Sequence, residues 1–340
     1  MDWPDYSGQS KGDYMNIYEA TVDYISDLPV LKAWPETVSL LERAASKQPR
    51  DWRLPLLACE SVGGTIEQAV PASASVACAL IGILLIDDML DDDPRGEFQR
   101  IGQAQAANFA SAFLSASSQA ILHSGAGSTT KLQALESLNQ MIVSVAFGQY
   151  LDVQNPADEA AYWQAVKMKS APFFRTALEL GALFGGAPIE LVCDIGEVGR
   201  VYGEMIQIHD DLNDTMEAPA NPDWTEGRSP LPILFARLVD HPLRARFEEL
   251  CPNAGNNPKV LEEAQEILIQ CGAISYCIDQ LLGRYRDAHT VSTRMKLVHP
   301  EKLDAILEEV IVPVWRLFEV SEKQPPELFT DAMRNWERTE

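Results

Sequence analysis

Positive charge is scarce in this chain. Its 340 residues hold 27 lysines and arginines against 50 aspartates and glutamates, a net charge of −23 at pH 7. So acidic a surface repels phosphate backbones and anionic lipid, which argues against nucleic acid and against electrostatic docking on a membrane. Clustered cysteine is lacking too. The six cysteines (Cys59, Cys78, Cys193, Cys251, Cys271, Cys277) form no CxxC pair and no Cys/His ligand spacing. No zinc site is expected, and reduced thiols in the cytoplasm fit best. The stretch MDWPDYSGQSKGDYMN lacks the basic-then-apolar layout of a secretory signal. Long apolar runs are few. The longest candidate for a membrane span, 68–86, is uncharged but contains Pro71 and ends against Asp87 and Asp88, which reads as a buried core helix.

Strand alternation is also missing, whereas helical periodicity runs nearly everywhere, and 46% of residues are apolar, ample for a large core. The pattern predicts helices over 14–28, 36–46, 53–67, 72–91 and 103–122. Further helices are expected over 131–151, 159–184, 189–214, 231–249, 258–270, 273–292 and 300–320. Turn clusters fall at 123–130, 218–227 and 252–257. The uncharged Ala/Ser-rich stretch 103–122 suits packing against neighbours on several sides. No composition break resembles a linker and no repeat is visible. The expectation is one all-α domain spanning 1–340, with a core over 14–320 and flexible ends at 1–13 and 321–340.

One motif occurs twice. Asp87-Asp88-Met89-Leu90-Asp91 ends one helix, and Asp210-Asp211-Leu212-Asn213-Asp214 ends another. At 3.6 residues per turn the first and fifth positions share a face, so Asp87 with Asp91, and Asp210 with Asp214, can bind a hard divalent cation such as Mg²⁺ from one side of a helix. Three carboxylates crowded at the negative end of a helix dipole repel one another, and a bound cation relieves that repulsion. Solvated, merely acidic helix ends remain the alternative for either motif alone; two together favour metal. Gln207 lies one turn before Asp210, where a neutral donor reaches a phosphate oxygen. Lys169 and Arg228 are cations set in apolar or loop sequence. A lone helical lysine is more often solvated than functional.

With these residues in view the sequence resembles the polyprenyl synthetase (isoprenyl diphosphate synthase) family from about residue 40 to residue 290. The resemblance rests on LLIDDMLDDD (84–93), FGQYLDVQ (147–154), KSAPFFRTALELGAL (169–183), YGEMIQIHDDLND (202–214) and EGRSPLPILFA (226–236), in the family's order. It implies an isoprenoid-synthase-type helical bundle around a deep central cavity. It also implies two facing aspartate motifs that hold three Mg²⁺ ions on an allylic diphosphate. By that resemblance Asp87, Asp88 and Asp91 form one metal site, and Asp210, Asp211 and Asp214 the other. Lys169 and Gln207 would contact the diphosphate, Arg95 and Arg228 would face phosphate, and Gln149 with Asp152 matches a GQ-and-Asp element. The implied reaction ionises the allylic diphosphate and couples the cation to isopentenyl diphosphate. Phe147, Tyr150, Phe173 and Phe174 offer π faces to that cation, although plain core is the commoner role for each. A cytoplasmic homodimer is implied as well.

The second-substrate segment departs from the family. Its GGKR-type sequence reads SKQPRD at 46–51, leaving Lys47 and Arg50 as substitutes. Leu80 replaces a family histidine, and Pro94-Arg95 replaces an Arg-Arg pair. These losses concern phosphate contacts, so a class I terpene cyclase, or a prenyltransferase with another acceptor, stands as the alternative. A non-catalytic synthase partner is a third reading, opposed by the intact aspartates. The small residues Ala79 and Gly82, with Ile83, lead to an expectation of room for a long product chain.

Overall fold

The structure, a computed structural model, describes residues 11–320 and is helical throughout, with no strand among those residues. The helices are α1 (Lys11–Ser26), α2 (Pro29–Lys32), α3 (Pro35–Ser46), α4 (Leu54–Ser61), α5 (Ile66–Leu90), α6 (Phe98–Ile101), α7 (Gln103–His123) and α8 (Ser128–Val153). They continue as α9 (Glu159–Phe184), α10 (Ile189–Met216), α11 (Pro222–Glu226), α12 (Leu231–Leu238), α13 (Arg244–Ala254), α14 (Pro258–Gln270), α15 (Ala273–Ser292) and α16 (Glu301–Val320). The expected flexible ends lie largely outside the described residues, with α1 already begun at Lys11.

Four differences from the sequence reading have identifiable causes. The helix expected over 53–67 stops at Ser61, whose carbonyl accepts the N–H groups of Val298 (2.9 Å) and His299 (3.0 Å), and Gly63 then turns the chain at φ +88°. Helix α5 starts at Ile66, ahead of Pro71, because Thr65 and Gln68 form a capping box in which the Thr65 N–H donates to Gln68 Oε1 (2.9 Å). The helix expected over 231–249 breaks at Val239, just before His241-Pro242. Conversely, α13 runs through Pro252 into the expected loop because Cys251 and Ala254 are buried.

The chain divides into two units whose boundaries fall inside α8, α9, α10 and α16 and in the connection between α15 and α16. One comprises the described part of Met1–Val145 with Phe173–Gly199 and Met295–Leu303. Its core includes Leu41, Trp52, Leu56, Ile81, Phe109 and Phe113. The Trp34 and Phe109 rings meet edge-on at 5.2 Å. Burying each such large side chain contributes about 1.5–3 kcal/mol. Helix α5 is long and apolar enough to cross a membrane by composition, but 72% of its apolar window is buried inside the protein. Gly82 on α5 opens no space for a product chain, because a Cβ there would stand 2.7 Å from Leu114 Cγ of α7. Its small size serves helix packing.

The other unit holds Ala146–Pro172, Arg200–Arg294 and the described part of Asp304–Glu340. Trp224, Ile233, Phe247, Leu250, Leu261 and Leu268 form a core there. Trp224 Nε1 donates to the Thr215 carbonyl (3.2 Å), pinning α11 beside the end of α10.

Candidate active site

In the first unit the apolar helix α5 ends on Asp87, Asp88 and Asp91. The Asp91 N–H donates to the Asp87 carbonyl (2.9 Å), so the helical register holds to the motif's last residue and keeps both side chains on one face. Burial, with the negative charges of Asp93, Asp87 and Asp91, pushes the Asp88 carboxyl up to about 6. The backbone N–H of Glu97 partly offsets this. The loop that follows folds back on itself. Arg95 clamps Asp93 with Nε (3.1 Å) and Nη2 (3.0 Å), and its backbone N–H adds a third bond (2.7 Å), which holds the Asp93 carboxyl below its usual range. Arg95 is thus engaged within its own loop. Glu97 accepts from Arg43 of α3 (2.7 Å) and from Arg100. Sequence reasoning missed Asp93, Glu97 and Arg43; the acidic run 91–93 followed by Pro94 and Gly96 was the available signal.

Lys47 and Arg50 lie on the connection between α3 and α4. Lys47 caps α3 and is exposed, Gln48 adopts φ +47°, and Arg50 opens a 3₁₀ turn, Arg50–Arg53. Tyr18 Oη of α1 reaches the carbonyls of Gln48 (3.1 Å) and Pro49 (3.0 Å) and fixes this connection. Arg50 Nε stands 3.8 Å from Asp51.

The second unit gathers most of the remaining candidates. On α8, Gly148 permits a close crossing, since a Cβ there would fall 2.2 Å from the Lys169 backbone nitrogen of α9. That crossing brings Lys169 Nζ to 2.7 Å from Asp152 Oδ2. Gln149 is buried beside it in sequence. Next on α9, Ser170 Oγ donates to Gln207 Oε1 of α10 (2.5 Å), and Gln207 Nε2 donates to Asp211 Oδ1 (2.8 Å). Asp211 Oδ2 accepts from Tyr162 Oη (2.8 Å) and from the Leu231 N–H at the start of α12 (2.7 Å). Burial pushes the Asp211 carboxyl up to about 7 against these three donors, with the nearby Asp152 charge adding to the rise.

The other motif residues differ from it in exposure. Asp210 is exposed with His209 Nδ1 at 3.3 Å, and Asp214 is half-buried. Arg228 follows Gly227 (φ +71°) and pairs with Glu226 (2.8 Å) and Asp223 (3.8 Å), while Asn155 Nδ2 donates to the Gly227 carbonyl (3.0 Å). Sequence reasoning missed Ser170, Tyr162 and the Leu231 N–H. Ser170 is flagged only by standing next to Lys169; Tyr162 has no local signal, since its partner is 49 positions away.

Of the aromatics, Phe147 and Tyr150 are exposed, with rings 6.4 Å apart. Phe173 and Phe174 are buried and meet edge-on at 5.2 Å. No group of three His, Cys, Asp or Glu side chains converges among the described residues. Mg²⁺ characteristically takes one or two carboxylates and completes its shell with water and phosphate oxygens. Crowded, oxygen-only donors such as Asp87 with Asp91, and exposed Asp210 with Asp214, fit that demand.

A sequence profile described as polyprenyl synthetase matches residues 40–268. The geranylgeranyl diphosphate synthase of Methanosarcina mazei is 26% identical over 239 residues, covering 65% of this chain and 71% of its own. The geranylfarnesyl diphosphate synthase of Aeropyrum pernix is 25% identical over 286 residues, covering 75% and 88%. Among solved structures, geranylgeranyl pyrophosphate synthase from Corynebacterium glutamicum, complexed with calcium and isoprenyl diphosphate, superposes with a TM-score of 0.74 at 19% identity, covering 93% of this chain and 99% of that one. Geranylgeranyl pyrophosphate synthetase from Pyrococcus horikoshii gives 0.74 at 20%, covering 87% and 94%. At these identities the superpositions establish the fold.

Proposed function

Because the chain belongs to the polyprenyl synthetase family, we propose that it is a prenyltransferase that ionises an allylic isoprenyl diphosphate and couples the resulting cation to isopentenyl diphosphate, releasing diphosphate. The family is Mg²⁺-dependent and its substrates are allylic diphosphates and isopentenyl diphosphate. The observation that carries the reading is the bonded series Asp152–Lys169 and Ser170–Gln207–Asp211, which ties the second aspartate motif to the two side chains suited to hold a diphosphate.

The two aspartate motifs are the carboxylate sets that hold the cations, three by family resemblance. When bound, Mg²⁺ neutralises the diphosphate and stabilises the charge that develops as it leaves. The chain's own residues do the rest. Lys169, steadied by Asp152, presents an ammonium to a phosphate oxygen, and Gln207 presents an amide N–H. Both are preorganised by neighbours that hold them before substrate arrives, so little reorganisation is spent at the moment of ionisation. Gln149 and Arg228 complete the diphosphate-facing set, and Lys47, Arg50 and Arg95 serve the isopentenyl diphosphate.

A second reading, a cyclase or a transferase with another acceptor, draws on one specific observation. Arg95 is clamped on Asp93 and Arg50 has Asp51 beside it, so two cations meant for the second diphosphate carry acidic neighbours. Incubation with Mg²⁺ and geranyl or farnesyl diphosphate, with and without isopentenyl diphosphate, separates the two. Longer diphosphates only when both substrates are present support elongation; hydrocarbon or alcohol from the allylic substrate alone overturns it in favour of cyclisation.

We further propose a cytoplasmic homodimer. Helix α7 carries no Asp, Glu, Lys or Arg, yet Ala104, Ala107, Asn108, Ser111 and Leu122 are exposed. In the same unit, Leu132 and Val143 of α8 are 68% and 71% exposed. An exposed α7 face without charged residues, with exposed apolar side chains on α8, supports burial against a second copy on a protein of net charge −23.

A further inference from the structure

We propose that Asp211 is a positioning residue and not a metal ligand: it locks Gln207 and the start of α12 in place for the allylic diphosphate, and Tyr162 completes the lock. The proposal rests on the functional reading above and reassigns one of its six aspartates.

Accessibility and occupancy separate Asp211 from its neighbours. Asp211 is 6% exposed, whereas the Asp210 side chain is 56% exposed. A carboxylate offers about four acceptor positions. Three are taken here, by Tyr162 Oη (2.8 Å), the Leu231 N–H (2.7 Å) and Gln207 Nε2 (2.8 Å). Little surface remains where a hydrated cation can stand. Tyr162 is itself buried, so its hydroxyl cannot trade Asp211 for bulk water.

What the lock does follows from donor and acceptor chemistry. Asp211 Oδ1 accepts from Gln207 Nε2, so the amide turns its nitrogen toward Asp211 and its oxygen toward the Ser170 hydroxyl (2.5 Å). The amide has one orientation that satisfies both neighbours. Its second N–H then remains as a donor of defined direction for a diphosphate oxygen. The Leu231 bond has a different effect. Leu231 opens α12, its backbone N–H has no partner within the helix, and the preceding residue is Pro230, which has no capping side chain. Asp211 therefore acts as a remote cap. It ties α10 to the segment Arg228-Ser229-Pro230 that leads into α12.

The test uses Mn²⁺ as a paramagnetic probe for Mg²⁺, titrated with inorganic diphosphate into wild type, Asp211→Asn, Tyr162→Phe and Asp210→Asn. Binding is read by electron paramagnetic resonance, and folding by circular dichroism. Kinetics with geranyl and isopentenyl diphosphates run alongside, including the double variant Tyr162→Phe/Gln207→Ala. Asp211→Asn and Tyr162→Phe are expected to bind as many Mn²⁺ ions as wild type, while Asp210→Asn binds fewer. Tyr162→Phe should raise KM for the allylic substrate roughly tenfold, the scale of one lost hydrogen bond, with kcat falling less. The double variant should lose no more than Gln207→Ala alone. Loss of Mn²⁺ by Asp211→Asn overturns the proposal, as does an unchanged KM in Tyr162→Phe or a fully additive double variant. If Asp211→Asn does not fold, Tyr162→Phe and the double variant decide. A wild type that neither binds Mn²⁺ with diphosphate nor elongates overturns the functional reading, and this one with it.

Discussion

Lys169 on α9 donates to Asp152 on α8 across 2.7 Å, at a helix crossing that only a glycine at position 148 allows. The pair is partly solvated, so its direct worth to stability is about 1 kcal/mol or less. Its value lies in aiming the ammonium. Asp152→Asn is expected to leave the melting temperature nearly unchanged while kcat/KM for the allylic substrate falls about tenfold, the scale of a misdirected charge-assisted hydrogen bond. Unaltered steady-state kinetics would show that Lys169 needs no such guide.

The crossing itself makes a separate prediction. A Cβ at position 148 would sit 2.2 Å from Lys169 N and 2.4 Å from Met168 C, both backbone atoms that cannot swing aside. Gly148→Ala should therefore cost about 1–3 kcal/mol of stability. Urea denaturation gives the number, and a variant as stable as wild type contradicts the close approach.

Asp87→Ala and Asp210→Ala are each expected to reduce activity at least about a hundredfold, since metal-borne charge stabilisation is lost. Far-UV circular dichroism should stay the same. Asp87→Ala also removes one of the negative charges crowding Asp88, so its metal-free melting temperature should not fall. Normal turnover by either variant would remove that residue from the metal set.

Glu308 on α16 allows a pH test away from the site. Burial, and then the charge of Asp304, raise its carboxyl above the usual value. The folded state therefore holds this proton more tightly than the unfolded chain does. That contribution is fully present below the ordinary glutamate pKa and is lost as pH rises through the raised one. Glu308→Gln should accordingly raise the melting temperature at pH 7–8 and leave it unchanged near pH 4. A gain confined to low pH would reverse the sign and defeat the argument.

For the dimer, Ala107→Glu and Val143→Glu place a charge at exposed, uncharged positions of α7 and α8. Neither disturbs a core, so folding is expected to persist while sedimentation reports half the wild-type mass. Wild type sedimenting as a monomer, or variants with unchanged mass, sinks the assignment.

Much of the architecture is legible in the residues because its causes are local. Helices α9, α14 and α15 begin and end where periodicity, Pro258 and Gly272 put them, and Asp87 and Asp91 share a face wherever their helix packs. The reading failed where packing overrode local signals. Pro252 marks a loop by rule, yet the burial of Cys251 and Ala254 carries α13 past it. Gly82 looked like room for product until Leu114 of α7 filled the space beside it.

What the sequence by itself determined is the helical class and the two aspartate motifs, since each depends on spacing along a helix. Only the tertiary structure decided what those side chains do. Arg95 folds back on Asp93 in its own loop, and Asp211 turns away from its exposed neighbour Asp210 toward Tyr162 and the Leu231 N–H, 49 and 20 positions away. Adjacent residues on a helix point about 100° apart. Which of two neighbouring carboxylates meets water and which meets a buried hydroxyl is therefore set by the helices packed around them.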